Sequence, residues 1–398
     1  MIRGPFPLPN FNHADIGRAA SRQKRVNLVK VTSERLGPVA AAVPRLTLID
    51  GLRALAAIAV LFYHYMHFAM IGTDHERYFA YLDYQPARSV FAVLYDWGFY
   101  AVQLFWMISG FVFAAVYFNR SASTREFVVN RFARLYPLHL LTLLVVAGLQ
   151  FGALDRVGHT LLYDNYDWWH FALQLLFASD WLTGSGQSFN GPIWSVSVEV
   201  VVYALFWIGR EPLRTVGPGG LLAVIALCLL GNVFAEISRI PNCAYYFFTG
   251  VALFRLHRSL EHRPLAWRAG IALALLVIGW AALGQGGGFA REVVAIPAWS
   301  AVALLVLASA EGGAPRWLSR ASGWLGDCTY GIYLWHVPTQ LALMLVILPG
   351  ANPAAFTAQG WVLAVWLLAV VAIARVSFVW FERPMRERLR RWAEPERG

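Results

Sequence analysis

Charge is scarce in this chain. Only 14% of the 398 residues are Asp, Glu, Lys or Arg, against about 25% in a soluble domain. So few charges do not cover a water-exposed surface, which excludes an ordinary soluble fold. The alternating segments of about ten residues that mark a β-barrel are missing as well. Cysteine is rare: Cys228, Cys243 and Cys328 all lie in apolar stretches without metal-ligand spacing. They read as small core residues, and no metal is expected. Internal repeats and low-complexity tracts are absent. The first 44 residues lack the apolar stretch of a cleavable signal peptide.

What fills the chain is hydrophobic residues, 58% of the total. They come in runs of roughly 17–25, the length that crosses about 30 Å of hydrocarbon. The pattern predicts an all-α, polytopic helical membrane protein embedded in a lipid bilayer. About ten transmembrane helices are expected, near 48–70, 90–118, 133–152, 192–209, 219–236, 241–254, 268–284, 293–310, 323–348 and 360–381. Residues 168–182, WWHFALQLLFASDWL, are apolar but too short to span. They read as a re-entrant or surface helix followed by a turn-rich loop.

Arginines orient the spans. With the N-terminus inside, basic residues crowd the tail and alternate inside loops, while outside loops keep only Arg77, Arg88, Arg156, Arg239 and Arg291. The positive-inside rule then places both termini in the cytoplasm. Three parts are expected: a basic tail over 1–44, a transmembrane domain over 45–385 and a second basic tail over 386–398. The net charge of +10 follows from this topology and does not call for nucleic acid as a partner.

Several polar groups sit where lipid depth makes them costly. In DGLRALAAIAVLFYHYMHF, residues 50–68, Arg53 and His64 are eleven positions apart. On a helix that separation is about 20° from whole turns and about 16.5 Å of rise. The two groups share one face, as two contacts to one elongated ligand would. Equally, Arg53 snorkels to headgroups and His64 is a satisfied core histidine. Asp50 reads as the helix N-cap. In QLFWMISGF, Ser109 and Gly110 form a small pair that suits helix packing or a site. In NRFARLYP, Arg131 and Arg134 stand one turn apart and suit a phosphate or a topology signal. In GPIWSVSVEVVVY, Ser195 and Glu199 are four apart, and Ser197 lies between them. No basic residue nearby in sequence neutralises Glu199, so a partner from another helix is expected. In LGDCTYGIYLWHVP, Tyr330, Tyr333 and His336 recur every three residues, as interior packing groups or site groups.

Taken in order, these stretches resemble the acyltransferase-3 family of membrane acyltransferases. The match runs through Asp50–Arg53, His64, Ser109–Phe111, Arg131 and Arg134 before Tyr136–Pro137, Trp194–Glu199, Tyr333–His336 and the closing Phe381–Pro384. The long basic N-terminal tail is not part of the family pattern. The hydrolase-like domain that some relatives carry after this pattern is not expected here. The resemblance implies transfer of an acyl group, commonly acetyl from acetyl-CoA, to hydroxyls of carbohydrates or small molecules. It implies His64 as general base, with Glu199 orienting its ring, and Arg53, Arg131 and Arg134 as donor-binding residues. Ser109, Ser195, Ser197, Tyr330, Tyr333 and His336 are supporting candidates. Direct transfer and an acyl-histidine intermediate both stay open. The acceptor is expected outside, on a glycan or glycolipid, and the membrane to be a bacterial inner membrane. Two alternatives stand beside this reading: a proton-coupled transporter with a His64–Glu199 relay, and an acyltransferase acting on a cytoplasmic small molecule. His159 and Asp164 show the spacing of glycerolipid acyltransferases, which with ten histidines reads as coincidence.

Overall fold

Long apolar helices need tertiary or lipid partners along their whole length, and the fold meets that need with a helical bundle. A computed structural model describes residues 45–69, 85–182, 186–234, 238–348 and 350–393. The basic tail read over 1–44 lies outside the described residues. No strand occurs among those described. The main helices are α1 Thr47–His64, α2 Arg88–Trp97, α3 Ala101–Tyr117, α4 Thr124–Val157 and α5 Trp168–Leu175. They continue with α6 Trp194–Thr215, α7 Pro218–Phe234, α8 Ile240–Leu260, α9 Leu265–Gly284 and α10 Ile296–Ala310. The last three are α11 Arg316–Ile347, α12 Gly360–Ser377 and α13 Arg383–Ala393.

Among the described residues, eight helical stretches are long and apolar enough to cross a membrane. Two of the expected spans take other forms. The stretch 219–236 is the shorter α7, and 241–254 lies within α8, a 21-residue helix outside that set of eight. The apolar surface faces outward in a manner suited to lipid. Only 11% of the most apolar window of α9 is buried, and Ile208, Leu227 and Leu368 are largely exposed. In water that much bare hydrocarbon marks a partner surface; in a bilayer it is the ordinary outside. The stretch 168–182 begins as the eight-residue α5, capped by Asp167, whose side chain accepts from the His170 N–H.

Helices α1 and α11 pack closely together, as do α3 and α8. Small residues permit the second contact. A Cβ on Gly110 would lie 1.8 Å from the Phe247 carbonyl oxygen, and one on Gly250 would lie 2.0 Å from that of Met107. The small pair at 109–110 therefore serves packing through its glycine. Helix α1 starts at Thr47, so Asp50 is not its N-cap. The Glu311 carboxylate takes the N–H groups of Thr47 and Leu48 instead. Asp50 sits in the first turn and pairs with Arg45 at 2.7 Å. Arg45 also reaches Asp327 at 2.7 Å, tying the start of α1 to α11. The stretch read as a terminal tail from 386 is helical through Ala393 and packs, as α13, against α4.

Candidate active site

Because α1 is one unbroken helix from Thr47 to His64, Arg53 and His64 do share a face. They lie about 16.5 Å apart along the axis. Each stands in a different cluster.

At the His64 end, Nδ1 lies 3.1 Å from the Val60 carbonyl oxygen, one turn back. An acceptor there requires Nδ1 to carry the proton, so Nε2 keeps its lone pair. His64 lines a cavity of about 270 Å³ with Tyr63, His67, Phe99, Gln187 and Trp194. The ring of His336 stacks on His64 with centroids 4.9 Å apart, and His67 lies at 4.8 Å. His336 donates from Nδ1 to the Tyr333 carbonyl at 2.7 Å, and its Nε2 is buried without a partner. Gln340 joins the group from α11. Its amide nitrogen donates to the His64 carbonyl at 2.7 Å, and its amide oxygen meets Nδ1 of His67 at 3.2 Å. Sequence reasoning missed His67 and Gln340. Both carried a signal, since His67 is three residues after His64 and Gln340 four after His336.

At the other end, Arg53, Arg131 and Arg134 come together, joined by two residues read from sequence only as part of the basic tail. Arg134 feels the charges of Arg53, Arg131 and Arg386, and Arg390 feels those of Arg386 and Arg131. Among the described residues none of these five makes an ion pair or a side-chain hydrogen bond. The Nε atoms of Arg53 and Arg131 are buried without acceptors. Arg131 lies 4.9 Å from the centre of the Phe113 ring, a contact that helps hold a desolvated cation. Elsewhere arginines are paired, as Arg88 is with Asp96 and Arg258 with Glu261.

Glu199 belongs to the arginine cluster. Its carboxylate lies beside the hydroxyls of Ser109 and Tyr203, and its nearest charges are Arg53 and Arg131. Glu199 therefore feels charges on other helices, α1 and α4, without an ion pair to either among the described residues. It does not orient the His64 ring, which Val60 holds. The same holds for the relay alternative, since no described hydrogen bond joins Glu199 to His64. Glu382, from the FERP segment, is a second carboxylate near Arg134 and Arg386.

The remaining hydroxyls are tied to the backbone. Ser195 and Tyr333 bond each other at 2.7 Å and both reach the Pro192 carbonyl. Tyr330 donates to the Leu135 carbonyl at 2.8 Å, and Ser197 donates to that of Trp194 at 2.8 Å. These bonds fix α6 and α11 against their neighbours and leave the oxyanion partner unassigned. The tryptophans of 168–182 do not line the His64 cavity: Trp168 borders a separate apolar cleft of about 350 Å³ with Leu144, Phe151 and Phe189. Tyr63, Phe99 and Trp194 supply the aromatic wall at His64. His159 bonds the neighbouring Thr160 carbonyl and not Asp164; both side chains belong to exposed residues.

The matching family model, described as an acyltransferase domain, covers residues 46–380. Exopolysaccharide production protein ExoZ of Rhizobium meliloti (strain 1021) is 28% identical over 303 residues, 72% of this chain and 89% of that protein. The acyltransferase MdmB of Streptomyces mycarofaciens is 31% identical over 166 residues, 41% of this chain and 39% of MdmB. The peptidoglycan O-acetyltransferase OatA of Listeria monocytogenes is 23% identical over 391 residues, 85% of this chain but 55% of OatA. The chain thus spans about half the length of OatA and most of ExoZ. No solved structure matches it.

Proposed function

The chain belongs to the acyltransferase-3 family of membrane acyltransferases, and from that premise we propose that it moves an acetyl group from cytoplasmic acetyl-CoA to a hydroxyl of an extracytoplasmic carbohydrate. The observation that carries this reading is the placement of His64. It lines a cavity with its tautomer fixed, about 16.5 Å along one helix from a cluster of five arginines that make no ion pair among the described residues.

In this reading Arg53, Arg131 and Arg134 take the donor's diphosphate, for which guanidinium forks are suited. The pantetheine arm then runs along the α1 face toward His64. The acceptor hydroxyl enters the cavity past Tyr63, Phe99 and Trp194, rings that suit stacking on a sugar face. Its oxygen attacks the thioester carbonyl carbon while its proton passes to Nε2 of His64. The C–O bond forms, the C–S bond breaks, and the CoA sulfur leaves with the proton returned by His64. His336 and Gln340 act as positioning residues: one stacks on the ring, and the other pins the His64 carbonyl. Glu199 offsets part of the charge of Arg53 and Arg131.

The positive-inside pattern supports a cytoplasmic arginine end, and in this reading the His64 cavity opens on the far side of the membrane. ExoZ is named for exopolysaccharide production and OatA for peptidoglycan O-acetylation, so a surface glycan or its lipid-linked precursor is the acceptor class. The test uses sealed vesicles of known orientation with acetyl-CoA on the cytoplasmic face and acceptor on one face at a time. Acylation is expected only with acceptor on the opposite face. Full acylation of acceptor presented with the donor would instead identify an enzyme for cytoplasmic small molecules.

A further inference from the structure

Helix α13 begins after residue 380, where the match to the family model stops, yet it completes the arginine cluster. Arg386 and Arg390 are four apart and share a face of α13. Their neighbours on that helix turn to Glu387. Arg383 donates to its carboxylate at 3.1 Å, and Arg391 to its backbone carbonyl at 3.4 Å. Arg386 and Arg390 make no such bond. Because α13 packs on α4, each lies within electrostatic range of one member of the other pair. Arg386 acts on Arg134, and Arg390 acts on Arg131. Two guanidinium pairs on facing helices form a ladder. Arg390, exposed, is its outer rung, and the half-buried Arg386 lies about 6 Å further in.

Like charges this close repel, so the ladder is costly until an anion fills it. Five guanidiniums face two carboxylates, Glu199 and Glu382, which leaves an excess of about three positive charges if both acids are ionised. A diphosphate alone supplies about two negative charges, and a phosphomonoester adds about 1.5 to 2 more. Acyl-CoA carries both kinds of phosphate. Its diphosphate adjoins the pantetheine arm, and its 3′-phosphate lies on the ribose, farther from the thioester. A thioester directed at His64 therefore puts the monoester at the outer rung.

We propose that Arg386 and Arg390 form a second anion subsite that takes the 3′-phosphate of acyl-CoA, so that the enzyme selects the intact coenzyme over donors lacking that group. This rests on the donor reading above. Acyl groups carried on phosphopantetheine alone, as on a carrier protein, leave this subsite empty.

The test is calorimetric titration of the purified full chain, held in nanodiscs of zwitterionic lipid, with CoA and with 3′-dephospho-CoA. The wild type is expected to bind CoA about 10–100-fold more tightly, the range for lost charge-assisted hydrogen bonds. The double variant Arg386→Gln/Arg390→Gln should bind CoA no better than the wild type binds dephospho-CoA, with dephospho-CoA affinity unchanged. The variant Arg383→Gln/Arg391→Gln, altered on the same helix, should keep the discrimination, which controls for folding of α13. Equal affinity of the wild type for both ligands overturns the subsite while leaving the donor reading intact. So does a double variant that weakens both ligands alike. A wild type that binds neither ligand overturns the donor reading and the subsite together. If the arginines serve anionic lipid headgroups, the wild type shows no preference for CoA over dephospho-CoA, whether the nanodisc lipid is zwitterionic or made anionic, and that absence overturns the proposal.

Discussion

The two ends of α1 solve opposite problems. At the histidine end the polar groups are largely satisfied within the chain. His64 is held by Val60, His336 by Tyr333, and Gln340 spans His64 and His67. At the arginine end, five cations converge and none has an ion-pair partner among the described residues. A preorganised neutral site costs nothing further when substrate arrives and acts mainly on the transition state. An unneutralised charged site gains most of its energy when its ligand binds, in ground state and transition state alike. The difference teaches that changes at one end should appear in kcat and changes at the other in donor affinity.

The largest effect should follow His64→Ala. General-base catalysis contributes about 10²–10⁴-fold in rate. The variant is expected to lose that much in kcat at saturating acetyl-CoA, with CoA affinity within about twofold of wild type by calorimetry. A loss of only a few-fold in kcat would take His64 out of the chemistry and dissolve the contrast between the two ends.

Next in size are the arginines. Arg131→Ala and Arg134→Ala should each raise the Kd for CoA about 10–100-fold, from charge-assisted bonds worth about 1.5–3 kcal/mol, while saturating kcat changes little. Lysine should restore part of the affinity, because the ammonium lacks the planar fork. Normal CoA binding by both alanine variants would make the pair a topology signal alone.

A smaller effect is expected at Gln340. Gln340→Leu removes two hydrogen bonds from the histidine group, each worth about 1 kcal/mol net. That predicts a fall in kcat of about 5–30-fold with donor Kd unchanged. Gln340→Asn, too short for both contacts, should not rescue; a gain in function from Asn would show that the amide acts on substrate directly.

Sequence reading left gaps at both ends, His67 and Gln340 at one and Arg386 and Arg390 at the other, for a physical reason. Arg53 and His64 could be paired because both lie on one helix, whose period relates them without tertiary knowledge. Arg131 and Arg134 were recoverable for the same reason. Arg386 and Arg390 sit in a basic terminal run that the positive-inside rule explains just as well. Only the packing of α13 on α4, a contact between segments more than 200 residues apart, separates a site from a topology signal. Glu199 shows the same limit. Its isolation in sequence pointed to a partner on another helix, but not to Arg53 and Arg131 over His64. Asp50 matched the composition of an N-cap, and a distant carboxylate, Glu311, took that place.

The smallest effect concerns the rim of the histidine end. Asp180 lies outside the membrane-spanning stretches and pairs with Arg239 at 3.3 Å. The Arg239 guanidinium sits 4.8 Å from the centre of the Trp194 ring, which lines the His64 cavity. Burial pushes the Asp180 carboxyl up to about 6, although Arg239 pulls the other way. A pKa raised on folding from its ordinary 3.8 means the folded state holds this proton more tightly than the unfolded chain. Its contribution to stability is then full below about pH 4, declines as pH rises toward 6, and is gone above that. Asp180→Asn removes the titration while keeping the size of the side chain. The melting temperature of the wild type should therefore fall, relative to Asp180→Asn, by at most a few degrees between pH 4 and 6.5, and the difference should be flat from there to pH 8. A difference that grows in the opposite direction would mean that the Arg239 pair outweighs burial. The rim of the cavity would then be held by charge, as the arginine end is once its donor is bound.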